Sequence, residues 1–127
     1  MQYKVGEKVS NSTQMLKGLL EGCILKIVSN GETYGYEVCE KLINYGFEDI
    51  SEGSVYPILI RLEKKKLLYS VMKKSPLGPM RKYYYLTEEG RYELNEFINT
   101  WNIVKRNVNV NVNIFLYKNW KIIMYNN

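Results

Sequence analysis

The chain contains no histidine, only two cysteines and only three prolines in 127 residues. Without histidine, the side chain most often used for acid–base work near neutral pH is gone. No glycine-rich phosphate loop and no cysteine with an activating neighbour replaces it. The composition therefore argues against an enzyme and implies no cofactor. Cys23 and Cys39 match no zinc or redox spacing and both fall in apolar, helix-like pattern, so core packing is their expected use and no metal site is expected. No apolar run reaches the roughly 18 residues of a membrane span. The N-terminal MQYKVGEKVSN lacks the apolar core of a signal peptide, which leaves the cytoplasm as the expected location, with no membrane partner.

A hydrophobic fraction of 46% is enough for one domain with a real core plus tails, while 127 residues are too few for two ordinary domains. The charge is unevenly spread. Residues 1–53 carry net −3, residues 54–82 carry eight basic side chains against Glu63 alone, and residues 83–127 carry net +1. A basic block following an acidic one, on a short helix and a hairpin, is the footprint of a nucleic-acid surface. Plain solvation is the ordinary fate of such lysines.

The stretch TQMLKGLLEGCILKIVS, Thr13 to Ser29, spaces its apolar residues by three and four, as an amphipathic helix does. A break at Gly31 leads into a second helix, YGYEVCEKLINYG, closed by Gly46. A third follows in SEGSVYPILIRLEKKKLL, where Pro57 belongs in the first turn if Ser54 is the N-cap, or if Ser51 or Gly53 sets the start. Val55, Ile58, Leu59 and Leu62 then share one face, and Pro57, Ile60, Arg61 and Lys64 the other, flanked by Tyr56 and Ser54. LLYSVMKK and MRKYYYLT, separated by SPLGP, form a β-hairpin with basic residues on both arms. In its second strand Tyr84 must face opposite to Tyr83 and Tyr85. Thr87 caps a last helix, and Glu88 and Glu89 suit its positive end.

Helix, helix, basic helix, basic hairpin, helix is the order of a winged helix-turn-helix followed by one extra helix, a mainly α (α+β) fold with a two-stranded wing. The second helix braces and the third enters the major groove. The candidate DNA contacts are Ser54, Tyr56, Arg61 and Lys64 on the third helix and Lys73, Lys74, Arg81 and Lys82 on the wing. Tyr34 and Tyr36, at the start of the bracing helix, complete the set. Arg61 has the fork geometry that suits guanine edges and phosphates. Tyr56 fits the groove or the core edge equally well.

Several pieces resemble the PadR-like transcriptional regulators. They are LKGLLEGCIL at Leu16 to Leu25, YGYEV at Tyr34 to Val38, GSVYP at Gly53 to Pro57, RLEKKKLL at Arg61 to Leu68, RKYYYLTEEGR at Arg81 to Arg91, and Trp101 in the last helix. The resemblance implies a bacterial repressor that binds double-stranded operator DNA as a homodimer, pairing through its C-terminal helix. It also implies a small aromatic or hydrophobic effector at the dimer interface, with Trp101 stacking on it. Packing at the dimer seam is the ordinary use of such a tryptophan, and Phe97, one turn earlier, and Met15, on the first helix, are candidates to line the same pocket. The reading from a different class keeps the winged helix as a protein- or RNA-interaction module without operator binding.

The expected organisation is a flexible arm over 1–12, the winged helix over 13–87, a dimerisation helix over 88–108, and an atypical tail over 109–127. The tail, NVNVNVNIFLYKNWKIIMYNN from Asn107 on, alternates Asn and Val with the period of a strand, which leaves it disordered or strand-like.

Overall fold

Apolar residues at helical spacing build three helices of the winged-helix region, and a computed structural model, which describes residues 7–10 and 14–113, gives their bounds. They are α1 (Gln14–Ser29), α2 (Gly35–Asn44) and α3 (Glu52–Lys64). Ile24 of α1, Val38 and Leu42 of α2, and Val55, Leu59 and Leu62 of α3 meet in one core with almost no exposure. Burying an aliphatic side chain of this size contributes about 1.5 to 3 kcal/mol, so these few residues hold the three helices together. Cys39 is buried in the core and Cys23 packs partly against it, both as free thiols. The loop after α2 turns at Gly46, whose φ of 107° lies where glycine alone is unstrained.

The hairpin pairs β4 (Leu68–Lys74) with β5 (Met80–Leu86) along their whole length. Beyond the two strands expected, a short third strand, β2 (Thr33–Tyr34), adds to the free edge of β5, with Thr33 opposite Tyr84 and Tyr34 opposite Tyr83. The residues before α2 are extended because Tyr34 is the helix N-cap, at φ −136° and ψ 167°. Thr33 is fully buried there, and its hydroxyl donates to Glu37 at 2.8 Å. This third strand fixes the wing to the start of α2.

The first twelve residues are not wholly an arm: β1 (Val9–Ser10) pairs in parallel with β3 (Phe47–Glu48). The remainder of that stretch lies outside the described residues.

The start of α3 is one of those expected, but the place of Pro57 in it is not. Ser51 is the N-cap, and its backbone N–H donates to the Ser54 hydroxyl at 3.0 Å. Starting at Glu52 puts Pro57 sixth in the helix, one turn deeper than the first turn. Proline there removes the bond to the Gly53 carbonyl and costs up to about 3 kcal/mol. Gly53 is exposed, so water can meet that carbonyl. At the other end, Lys66 N–H donates to Glu63 O at 2.9 Å and Leu67 N–H to Leu62 O at 3.0 Å, with Lys66 itself at φ 62°. This Schellman turn redirects the chain from α3 into β4.

Thr87 caps α4 (Glu88–Val112) as expected: the Gly90 N–H donates to its hydroxyl at 2.9 Å, while that hydroxyl donates to Lys66 O at 2.7 Å. The chain divides into two units, residues 1–94 and 95–127. In the second, helix continues to Val112, so residues 109–112 are helical and not strand-like. Val108 and Val112 share a strand period but are also four apart, which satisfies one helix face equally well. The tail from residue 114 onward lies outside the described residues. No helix among the described residues is long and apolar enough to cross a membrane.

Candidate nucleic-acid interface

With Val55, Leu59 and Leu62 buried, the 100° step of the helix turns Gly53, Pro57, Ile60 and Lys64 outward, and all four are exposed. Arg61 lies on one edge of this face and Tyr56 on the other. Ser54, expected at the tip, is half-buried, and its hydroxyl donates to Ser51 O at 2.8 Å, so its proton is engaged in the cap.

The N-terminus of α2, the first turns of α3 and the second strand of the wing converge on a cleft of about 300 Å3. Tyr34, Tyr36, Tyr56, Arg81 and Lys82 all line it, so half of the ten expected contact residues come together there. Glu52 and Met80 join them. Tyr56 lies at the edge of the core and also reaches the cleft. Its ring lies so close over Gly35 that a Cβ there would sit 2.5 Å from it, yet 38% of the residue is exposed. Partial burial, then the Glu52 carboxylate, then Cys39, push its phenol above the ordinary tyrosine range. The Tyr36 phenol is raised chiefly by the charge of Glu40. Both hydroxyls therefore stay protonated donors at neutral pH.

The wing separates its tyrosines as the strand period requires. Tyr84, opposite Ser70, faces the core, while Tyr83 and Tyr85, opposite Val71 and Tyr69, share the other face, where Tyr83 is itself buried. Tyr34 packs edge-on to Tyr83, and the Arg81 guanidinium lies 4.4 Å over the Tyr34 ring. That cation–π contact aims Arg81 along the edge of the cleft.

Several of the basic side chains already have acidic partners, which the residue pattern alone did not reveal. Arg61 Nε donates to Glu21 of α1 at 2.6 Å, and Lys65 Nζ lies 3.6 Å from the same carboxylate. Lys73 is bound by Glu32 at 2.5 Å and Lys82 by Glu63 at 3.1 Å. Glu32 also accepts the Tyr85 hydroxyl at 3.0 Å, and the Lys73 bond is the main cause holding its carboxyl below the usual range. Among the described residues Lys64, Lys66 and Lys74 have no acidic partner. Such exposed pairs are weak because water screens them, so phosphates can compete for their cations.

Two tests follow from this division. Lys74→Ala should reduce the slope of log affinity against log salt by about one, and Lys73→Ala by clearly less, because Glu32 already neutralises Lys73. Equal changes measured by salt-titrated anisotropy would contradict the division. Conversely, Glu21→Gln should tighten DNA binding and steepen the slope by up to about one, at a stability cost under about 1 kcal/mol. Burial raises the Glu21 carboxyl, but Arg61 and Lys65 outweigh it and the net shift is downward. Its stabilising effect is thus present above the ordinary carboxylate range and lost as pH falls through the lowered value.

The residues expected around an effector fall in two different units. Met15 is highly exposed on α1, in the first unit. In the second, Phe97 is half-buried and Trp101 exposed, on one face of α4. No group of histidine, cysteine or carboxylate side chains among the described residues is arranged to hold a metal ion.

Glu21, Glu32 and Glu63 carry no local signal for these roles, because their partners lie on other elements. Glu52 carried a signal, an acid in the first turn after a serine cap. Nothing in the pattern marked Met80.

Three helices, an outward-facing third helix and a basic hairpin anchored beside it define a winged helix-turn-helix, a DNA-binding class of domain. The family model of the PadR-like transcriptional regulators matches residues 24–96. A crystal structure of a PadR-like transcriptional regulator from Bacillus cereus is 51% identical, with a TM-score of 0.74, over 79% of this chain and 97% of that one. A Streptococcus transcriptional regulator is 41% identical, with a TM-score of 0.71, over 76% and 95%. An uncharacterized protein of Lysinibacillus sphaericus is 31% identical over 96 residues, 73% of this chain and 87% of its own. The chain belongs to the PadR-like family, whose members are transcriptional regulators and not enzymes.

Proposed function

We propose that this PadR-like protein is a repressor that acts in the cytoplasm and binds an inverted-repeat operator as a homodimer. The outward face of α3 carries the reading: an exposed strip of Gly53, Pro57, Ile60 and Lys64, bordered by Arg61, Tyr56 and the aromatic, cationic cleft. Arg61, held by its Nε, directs its guanidinium to a base edge or phosphate at one border of the strip. The tyrosine hydroxyls and Arg81 serve phosphates at the other. Two copies would address half-sites about 34 Å apart, one helical turn, or a multiple of it.

Pairing is supported by α4. From Asn95 on, Ile98, Trp101, Val104, Val108 and Val112 form one exposed apolar face at spacings of three and four. A helix stripe of that length wants a partner, and a second copy supplies the same stripe. An aromatic or hydrophobic effector would lodge at Phe97 and Trp101 on this seam and change the spacing of the two α3 helices. Trp fluorescence that stays fixed across a panel of aromatic compounds would remove that effector role.

The function is tested by selecting duplexes from a random-sequence pool and footprinting the product. Two protected half-sites in inverted orientation, bound by two chains, are expected. Enrichment of no sequence would favour an RNA- or protein-binding module instead.

A further inference from the structure

The wing ends in an apolar point. Leu77 is 82% exposed, more than any other large hydrophobic side chain among the described residues. It sits at the apex of a tight loop, Ser75-Pro76-Leu77-Gly78-Pro79, closed by two bonds: Gly78 N–H to Ser75 O at 2.9 Å and Ser75 N–H to Pro79 O at 2.9 Å. Pro76 and Pro79 fix their own φ angles, and Gly78 takes φ 107°, so the backbone that carries Leu77 is held on both sides. Met80, the first residue of β5, is exposed beside it. A rigid loop that holds leucine out in water gains nothing from burial within its own chain.

The surroundings say what kind of surface it meets. Directly below the apex, Lys74 pairs in register with Met80 and Lys73 with Arg81. Lys73 is neutralised by Glu32, whereas among the described residues Lys74 has no acidic partner and Arg81 lies over the Tyr34 ring. The apex is thus an apolar wedge on a cationic stem. A duplex offers the complement: phosphates for the stem, and base steps that open to an apolar side chain in the minor groove.

We infer that Leu77 is a wedge that inserts between adjacent base pairs in the minor groove of the operator, unstacking one step and bending the duplex. The inference rests on the DNA-binding reading above. Flexible TA and CA/TG steps are the favoured sites, because they unstack at least cost. Leu77 therefore reads deformability at a position flanking the bases addressed by α3.

The experiment uses the full chain and a duplex selected from a random pool, with 2-aminopurine placed at successive flanking steps. The wild-type protein should raise 2-aminopurine fluorescence at one step in each flank. Leu77→Ala should abolish that rise, lower affinity about tenfold and leave the salt slope unchanged, since no phosphate contact is lost. Its thermal melting should match the wild type, because the side chain makes no core contact. Replacing the flanking TA step with a stiff A-tract should weaken the wild type and leave Leu77→Ala unaffected. Tight binding with no fluorescence rise and no loss in Leu77→Ala would overturn the wedge while leaving operator binding intact. If no duplex is selected at all, the DNA-binding reading and the wedge fall together.

Discussion

Gly90→Ala is expected to destabilise the winged-helix unit by about 3 kcal/mol, on the order of 10 to 20 °C in melting temperature. By helix propensity alone the change should help by about 1 kcal/mol, since Gly90 is the third residue of α4. The close approach of the backbone decides otherwise. A Cβ on Gly90 would overlap the Leu67 carbonyl oxygen and press on Leu86 Cδ2 at 3.1 Å. That carbonyl accepts the Thr87 N–H at 3.1 Å, and the Thr87 hydroxyl in turn caps Gly90 and holds Lys66 O. Relief would require breaking the lock that joins the end of α3, the wing and the start of α4. A flexible side chain could swing away, but this backbone cannot. Thermal unfolding followed by circular dichroism checks the expectation, and a melting temperature at or above the wild type would show that the junction yields.

The largest effect on binding is expected from Lys64→Glu. Lys64 lies on the outward strip of α3, is exposed, and has no acidic partner among the described residues, so the reversal leaves the fold intact. In the bound state it would place a carboxylate where phosphates or acceptor-rich base edges lie. Removing one favourable contact and adding one repulsion should together cost at least about 2 to 3 kcal/mol, roughly a hundredfold in affinity. Lys66→Glu is the matched comparison. It changes the same charge just beyond the helix, off the strip, and should cost much less. Equal losses would mean that only total charge matters and that α3 is not the reading element.

Most of the fold was legible in the sequence because it depends on local periodicity. The three- and four-residue spacing in Gln14–Ser29, the turn signal in SPLGP and the Thr87 cap each state their own structure. The errors came where one local pattern served two geometries. Pro57 suits a first turn, but with Ser51, one of the expected starts, as the cap it falls one turn further in. Valines at 108 and 112 fit a strand and also one helix face, and the structure uses the helix.

The candidate site was legible in its members more than in its wiring. Tyr34, Tyr36, Tyr56, Arg81 and Lys82 do share one cleft. That Glu21 holds Arg61 across 40 residues, and that Glu32 holds Lys73 across 41, follows from packing and has no local signature. The bare leucine at the apex of the wing has no signature in the sequence for the opposite reason. Leucine in a turn carries no sequence pattern, and only its exposure sets it apart.

The central claim is that α3 and the wing read DNA sequence. Its most direct measurement is fluorescence anisotropy of the selected duplex against a scrambled duplex of the same length and composition, near physiological salt. A ratio of affinities of about 10³ or more in favour of the selected sequence is the expected result. Equal affinity for the two duplexes would contradict it.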